Sequence, residues 1–150
     1  MPDPTEEITN IADDWLEAML SADLVLQAEV PGGWHSEAAD DGTPYPLGRY
    51  VYQGGGRADA GGSLYNIGGR DIFTRLLYLV TVTGQNVRFK DLGRAAAQIK
   101  SVINLKSGST PNGDVLWCEY RGPFRERVPI GDQFYPELGG FYELAVRATL

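Results

Sequence analysis

The sequence predicts an α+β fold: a mostly antiparallel β-sheet with two helices packed on one face and a long Gly-rich hairpin loop. Three observations lead there. The stretches Thr5–Leu20 and Asp91–Lys106 repeat their apolar residues at helical spacing. Asp71–Thr83 is apolar on both faces, as a central strand is. The C-terminal stretch alternates apolar Tyr142, Leu144, Val146 and Ala148 with Glu143, Ala145, Arg147 and Thr149, the pattern of a half-exposed strand. A length of 150 residues with 43% hydrophobic content fits one domain, 1–150, with a real core.

Taken in order, the first helix carries Ile8, Ile11, Trp15 or Leu16, Met19 and Leu20 on its apolar side. Thr5 is placed to cap it, and Glu6 and Glu7 suit the positive end of the helix dipole. Leu24-Val25-Leu26 is too short for its period to be read, and residues 32–48 read as loop, with Asp40-Asp41-Gly42 and Pro44-Tyr45-Pro46 as turn signals. Arg49–Gln53 is a short strand. The 71–83 strand stops at Gly84. In the second helix Leu92, Ala95, Ala96, Ile99, Val102 and Ile103 form the apolar face, Lys100 and Lys106 suit its C-terminal end, and Gly108 is a stop. Pro111–Asp114 is a turn, Val115–Arg121 a strand that Gly122-Pro123 breaks, and Phe124–Ile130 either continues the sheet or forms an extended arm.

Between the first two strands lies YQGGGRADAGGSLYNIGGR, Tyr52 to Arg70, with seven glycines. Gly56 to Ser63 has the spacing of a phosphate-binding G-x-x-x-x-G-K-[ST] loop, but Gly62 stands where the lysine belongs. Another Gly-Gly pair follows at 68–69, so no helix of useful length starts there to hold a phosphate. Asp59 likewise occupies the third glycine position of a dinucleotide motif. The 54–69 segment therefore reads as a flexible connection. Because Leu64, Tyr65 and Ile67 are apolar groups with nothing local to bury them, a partner is one place for them to go.

Charge is unevenly spread. The net charge is −7, yet residues 1–48 hold 11 Asp or Glu and no Lys or Arg, while residues 49–150 carry a net +4. This split points either to a partner or neighbouring subunit, or to an acidic solvated helix face. The acidic excess argues against general affinity for nucleic acid, which needs phosphate-neutralising cations. The single Cys118 lies in an apolar run and forms no disulfide framework. One His and one Cys do not make a zinc site, Asp40 and Asp41 lack an EF-hand pattern, and His35 has no evident nucleophilic partner. The sequence predicts no catalytic site, cofactor or metal. It also shows no secretory leader and no apolar stretch of membrane-spanning length, so the expectation is a soluble protein made in a cytoplasm. Two groups look like contact surface. One is Arg57, Asp59, Leu64, Tyr65 and Ile67 on the glycine loop. The other is Arg121, Phe124, Arg125 and Arg127, an arginine–aromatic cluster of the kind enriched in interfaces, or else an ordinary basic strand face.

The order of these segments resembles the tail-terminator, or tail-completion, proteins of long-tailed bacteriophages. The likeness covers nearly the whole chain: an acidic first helix, then GTPYPLGRYVYQ, a long loop, RDIFTRLLYLVTVTG, DLGRAAAQIKSVINL, and a closing GGFYELAVRATL. It rests on order and pattern, with no chemically diagnostic motif, and the 122–140 insertion is longer than the family leads one to expect. The resemblance implies a homo-oligomeric ring, a hexamer in the family, at the head-proximal end of the tail tube. That ring ends tube polymerisation and docks to the head connector or neck proteins, with DNA passing through its channel without specific binding. It implies a virion location after assembly in the host cytoplasm, no cofactor and no membrane. The acidic N-terminal segment would then either line the channel or pair with a neighbouring subunit's basic side. Another neck or head–tail joining protein is the alternative within the class. A small cytoplasmic α+β enzyme or ligand-binding domain is the alternative outside it.

Overall fold

Helix α1 (Pro4–Ala22) presents one stripe to the core: Ile11, Ala12, Trp15, Leu16 and Leu20 are all buried. It begins one residue ahead of Thr5, the expected cap, because proline's fixed φ suits a first helical position. A short helix α2 (Leu24–Glu29) follows, where the sequence left the element open. Its signal is Asp23, whose side chain accepts the Leu26 N–H at 2.9 Å and so caps the first turn. The structure, a computed structural model, describes residues 4–55, 66–67, 70–71 and 73–148.

Strand β1 (Trp34–His35) lies inside the stretch expected to be loop and pairs in parallel with β2 (Leu47–Gly55). The two close up because Gly48 has no side chain: a Cβ there would meet the Trp34 ring at 2.3 Å. The rest of the main sheet is antiparallel. β2 pairs with β5 (Thr74–Thr83), β5 with β8 (Gln133–Ala148), β8 with β7 (Gly113–Ile130), and β7 with β6 (Gly108–Thr110). The order is β1-β2-β5-β8-β7-β6, so β5 is central, as its two-sided apolarity predicts. Two short strands, β3 (Asn66–Ile67) and β4 (Arg70–Asp71), form a separate ladder within the glycine loop. β5 therefore starts later than Asp71.

Helix α3 (Phe89–Ile103) is shifted toward the N-terminus relative to the 91–106 expectation. Asp91 does not start the helix. Its carboxylate accepts the Arg88 N–H at 2.9 Å from the third helical position, and Arg88 is the cap. The helix ends at Asn104, and Leu105 turns the chain at φ +60°, so Gly108 is free to enter β6. Leu92, Ala95, Ile99 and Ile103 of α3 join the α1 stripe over Leu76, Tyr78, Val80, Val82, Leu144 and Val146. Both long helices therefore cover one face of the sheet, and the core lies between them and it.

The largest departure from expectation is β7. Gly122-Pro123 does not break it; the strand runs unbroken from Gly113 to Ile130. Proline is accommodated because β6 pairs only with Gly113–Val115, leaving the remainder of β7 as a sheet edge. A bulge between Tyr120 and Gly122 inserts Arg121 into the ladder. β8 likewise starts at Gln133, eight residues before the Phe141 stretch that reads as a strand in sequence. The two strands meet at Gly131-Asp132, with Gly131 at φ +65°. A Gly-Asp pair between alternating runs is a hairpin signal.

Candidate assembly surface

The outer part of the β7–β8 hairpin runs past the sheet that supports it. β5 ends at Thr83, opposite Glu137, so residues 127–136 form an arm with only each other as ladder partners. The β5–α3 turn braces its base. Gly84 N–H donates to Pro136 O at 2.9 Å, Asn86 N–H to Phe134 O at 2.8 Å, and Phe134 N–H to Asn86 Oδ1 at 3.0 Å. Beyond this brace Val128 and Ile130 are 39% and 62% exposed.

Side chains alternate across a strand, so Arg125-Glu126-Arg127 sends its two cations to one face and its carboxylate to the other. On the helix-covered side the Arg125 guanidinium lies over the Phe89 ring at 4.0 Å, and the Arg127 guanidinium over Phe134 at 3.8 Å. Together with Arg88 and Lys90 they line a cleft of about 310 Å³. Arg88 has Asp91 at 3.7 Å; Lys90, Arg125 and Arg127 have no carboxylate partner among the described residues. The opposite side of the arm borders a larger cleft of about 620 Å³, closed by the 37–43 loop. Exposed Glu37, Asp40 and Asp41 line it, with Val128, Ile130 and Tyr135 from the arm, whose Tyr135 ring packs on Tyr45 at 5.6 Å. Arg49, its one cation among the described residues, is 3.4 Å from Glu137, which also accepts the Thr81 hydroxyl. One arm thus separates a basic cleft from an acidic one.

Of the residues singled out in sequence, Arg57, Asp59, Leu64 and Tyr65 lie outside the described residues, as does most of the 54–69 segment. Ile67 sits in β3, paired with Arg70. Arg121, Phe124, Arg125 and Arg127 do not form one cluster. Arg121 keeps the helix-free face of Glu119, where it donates to Glu143 at 3.0 Å and lies 3.5 Å from Glu119, and the bulge that follows switches Arg125 and Arg127 to the other face. Arg75 donates to the same Glu143 oxygen at 2.8 Å. Burial acts to raise the Glu143 carboxyl, but the two arginines outweigh it and hold the group below the ordinary carboxylate range. Phe124 packs edge-on against Phe141 on this face, at 5.9 Å. Sequence reading missed Phe89 and Phe134, the rings that seat the two arginines. The local signal was Arg88-Phe89-Lys90, an aromatic between two cations, but nothing local joins it to a strand 35 residues further on.

The first helix's acids are partly spoken for. Asp13 accepts the Tyr78 hydroxyl at 2.7 Å, and Glu17 accepts that of Tyr50. Burial raises the Asp13 carboxyl above its usual range, and Asp14 and Glu17 push the same way against the Tyr78 hydrogen bond. His35 holds its ring nitrogen 2.8 Å from Gly32 O, tying down the turn before β1. Cys118 is fully buried, and burial pushes its thiol up to about 12, far from a reactive thiolate. Among the described residues no group of His, Cys, Asp or Glu is arranged to hold a metal ion, and no helix is long and apolar enough to cross a membrane.

No protein-family model matches the chain, and no curated protein matches it. Its fold does recur in a solved structure. A chain from the virion of a native gene transfer agent particle superposes with a TM-score of 0.61. The alignment covers 93% of this chain and 98% of that one, at 14% identity. At that identity the fold is what is shared.

Proposed function

We propose that this chain is a structural subunit of a phage-like particle, forming the ring that ends the tail tube and joins it to the head. The observation that carries the reading is the fold shared, nearly end to end, with a chain of a gene transfer agent virion. Two further features support it. The segment order resembles tail-terminator proteins, and the conspicuous surface is an arm between two charged clefts, a shape suited to contact with other subunits. Terminating a tube requires one face that continues the last layer and another that refuses addition. No cofactor or reaction enters this role. A neck or head–tail joining protein is the second reading, because the same virion fold and the same two-sided arm would serve a ring at that position.

The test is to purify the protein, measure its native mass by light scattering, and add it to polymerising tail-tube protein from the same particle. The expected outcome is a closed ring that caps one tube end and shortens the tubes as its concentration rises. A ring that leaves tube length unchanged and binds connector protein instead would move the assignment to the neck. A monomer with no effect on either would remove it from the tail altogether.

A further inference from the structure

We propose that the two clefts flanking the β7–β8 arm are complementary halves of one contact between copies of this chain. The basic cleft of one subunit receives the acidic 37–41 loop and the arm's apolar side chains from the next. The inference rests on the ring reading and adds which surfaces mate. Four cations line the first cleft, and only Arg88 has a carboxylate nearby among the described residues. Glu37, Asp40 and Asp41 line the second and are all exposed.

The arm stands between the clefts, so one subunit cannot bring its own cations to its own loop. A second copy can. An isologous two-fold contact through either cleft alone would set like charge against like. With the clefts on opposite sides of the arm, a heterologous contact, basic side to acidic side, satisfies both, and such a contact repeats round a ring or along a filament. The cations are also held ready. A guanidinium stacked on an aromatic face keeps its edge donors free for a carboxylate and loses less side-chain freedom on binding. Here Phe89 and Phe134 hold Arg125 and Arg127 in that way, at 4.0 and 3.8 Å. The same docking covers Ile130, 62% exposed at the arm's end beside the acidic loop.

Charge reversal tests the pairing. Two double variants are made, Arg125→Glu with Arg127→Glu, and Asp40→Lys with Asp41→Lys. Each is expected to raise the self-dissociation constant about 100-fold or more, because each sets like charges together at the contact. Mixed in equal amounts they are expected to reassemble as an alternating, even-numbered ring, since each reversed cleft then faces its reversed counterpart. Sedimentation velocity reads both results, and far-UV circular dichroism checks folding. If a reversal variant fails to fold, the neutral pair Arg127→Gln and Asp41→Asn takes its place. Each of these is expected to weaken assembly and to flatten its salt dependence. A basic-cleft variant that assembles like the wild type overturns the pairing and leaves the ring reading standing. So does a mixture that stays dissociated. Short duplex DNA captured by wild-type protein through Arg125 and Arg127, with assembly unaffected by their reversal, assigns the cleft to phosphate and overturns it too. A wild-type chain that is monomeric at every concentration overturns both readings.

Discussion

The β7–β8 hairpin changes character halfway along its length. Near the sheet's far end Val115, Cys118 and Tyr120 face Val146, Leu144 and Tyr142 under the two helices, and all but the half-buried Tyr120 are buried. Beyond Glu137 the same ladder continues with residues 127–132 exposed. The inner half is held by side-chain burial, which scales with apolar area removed from water. The outer half is held by its own ladder, the Gly131 turn and the Asn86 brace. A strand pair extended past its core gains little stability for its length, since a two-stranded hairpin is marginal in water. What it gains is reach, with two faces that a partner can read separately. The inner half therefore answers to the fold, and the outer half is largely free of that constraint.

The sharpest way to break this comparison is to empty the inner half. Leu144→Ala removes a fully buried side chain between β5 and β7 and is expected to cost about 2–5 kcal/mol, read from urea unfolding. A loss below about 0.5 kcal/mol would mean that the inner ladder does not depend on burial.

Between the extremes sits Glu143, in the inner half but on the helix-free face. Its folded carboxyl titrates below the unfolded one, so its stabilisation is present above the unfolded value and is lost as pH falls through the folded value. Glu143→Gln is expected to cost about 1 kcal/mol at neutral pH, because the two arginines remain and are partly exposed. It should also flatten the acid limb of a stability–pH profile. An unchanged acid limb would show that Arg75 and Arg121 do not hold this carboxylate.

The smallest effect on stability is expected at the arm's end. Ile130→Ser should shift the unfolding free energy by no more than about 0.5 kcal/mol, as for an exposed site. It should still weaken self-association in sedimentation. A large stability loss there would show that the arm is part of the core after all.

Local periodicity decided a good deal. The apolar stripe of α1, the α3 stripe from Leu92 to Ile103, the central place of β5 and the helices' common face are all legible in sequence, because each depends on spacings within one segment. Sequence also grouped Arg125 and Arg127 with Arg121 as candidate contact residues, and did not show what separates them from Arg121. The unbroken course of β7 was hidden because Gly122-Pro123 reads locally as a break, whereas a long partner strand, with an edge on its other side, tolerates it. The sorting of charge was hidden for a related reason. A one-residue bulge flips the face of a side chain, and a bulge exists only relative to the strand opposite. Thus composition and period set which segments are helix and strand and which residues seek the core. Only pairing with distant residues could keep Arg121 on one face, switch Arg125 and Arg127 to the other above Phe89 and Phe134, and set an acidic loop across the arm from them. Register and contact between remote segments are properties of the assembled sheet, not of any window of the chain.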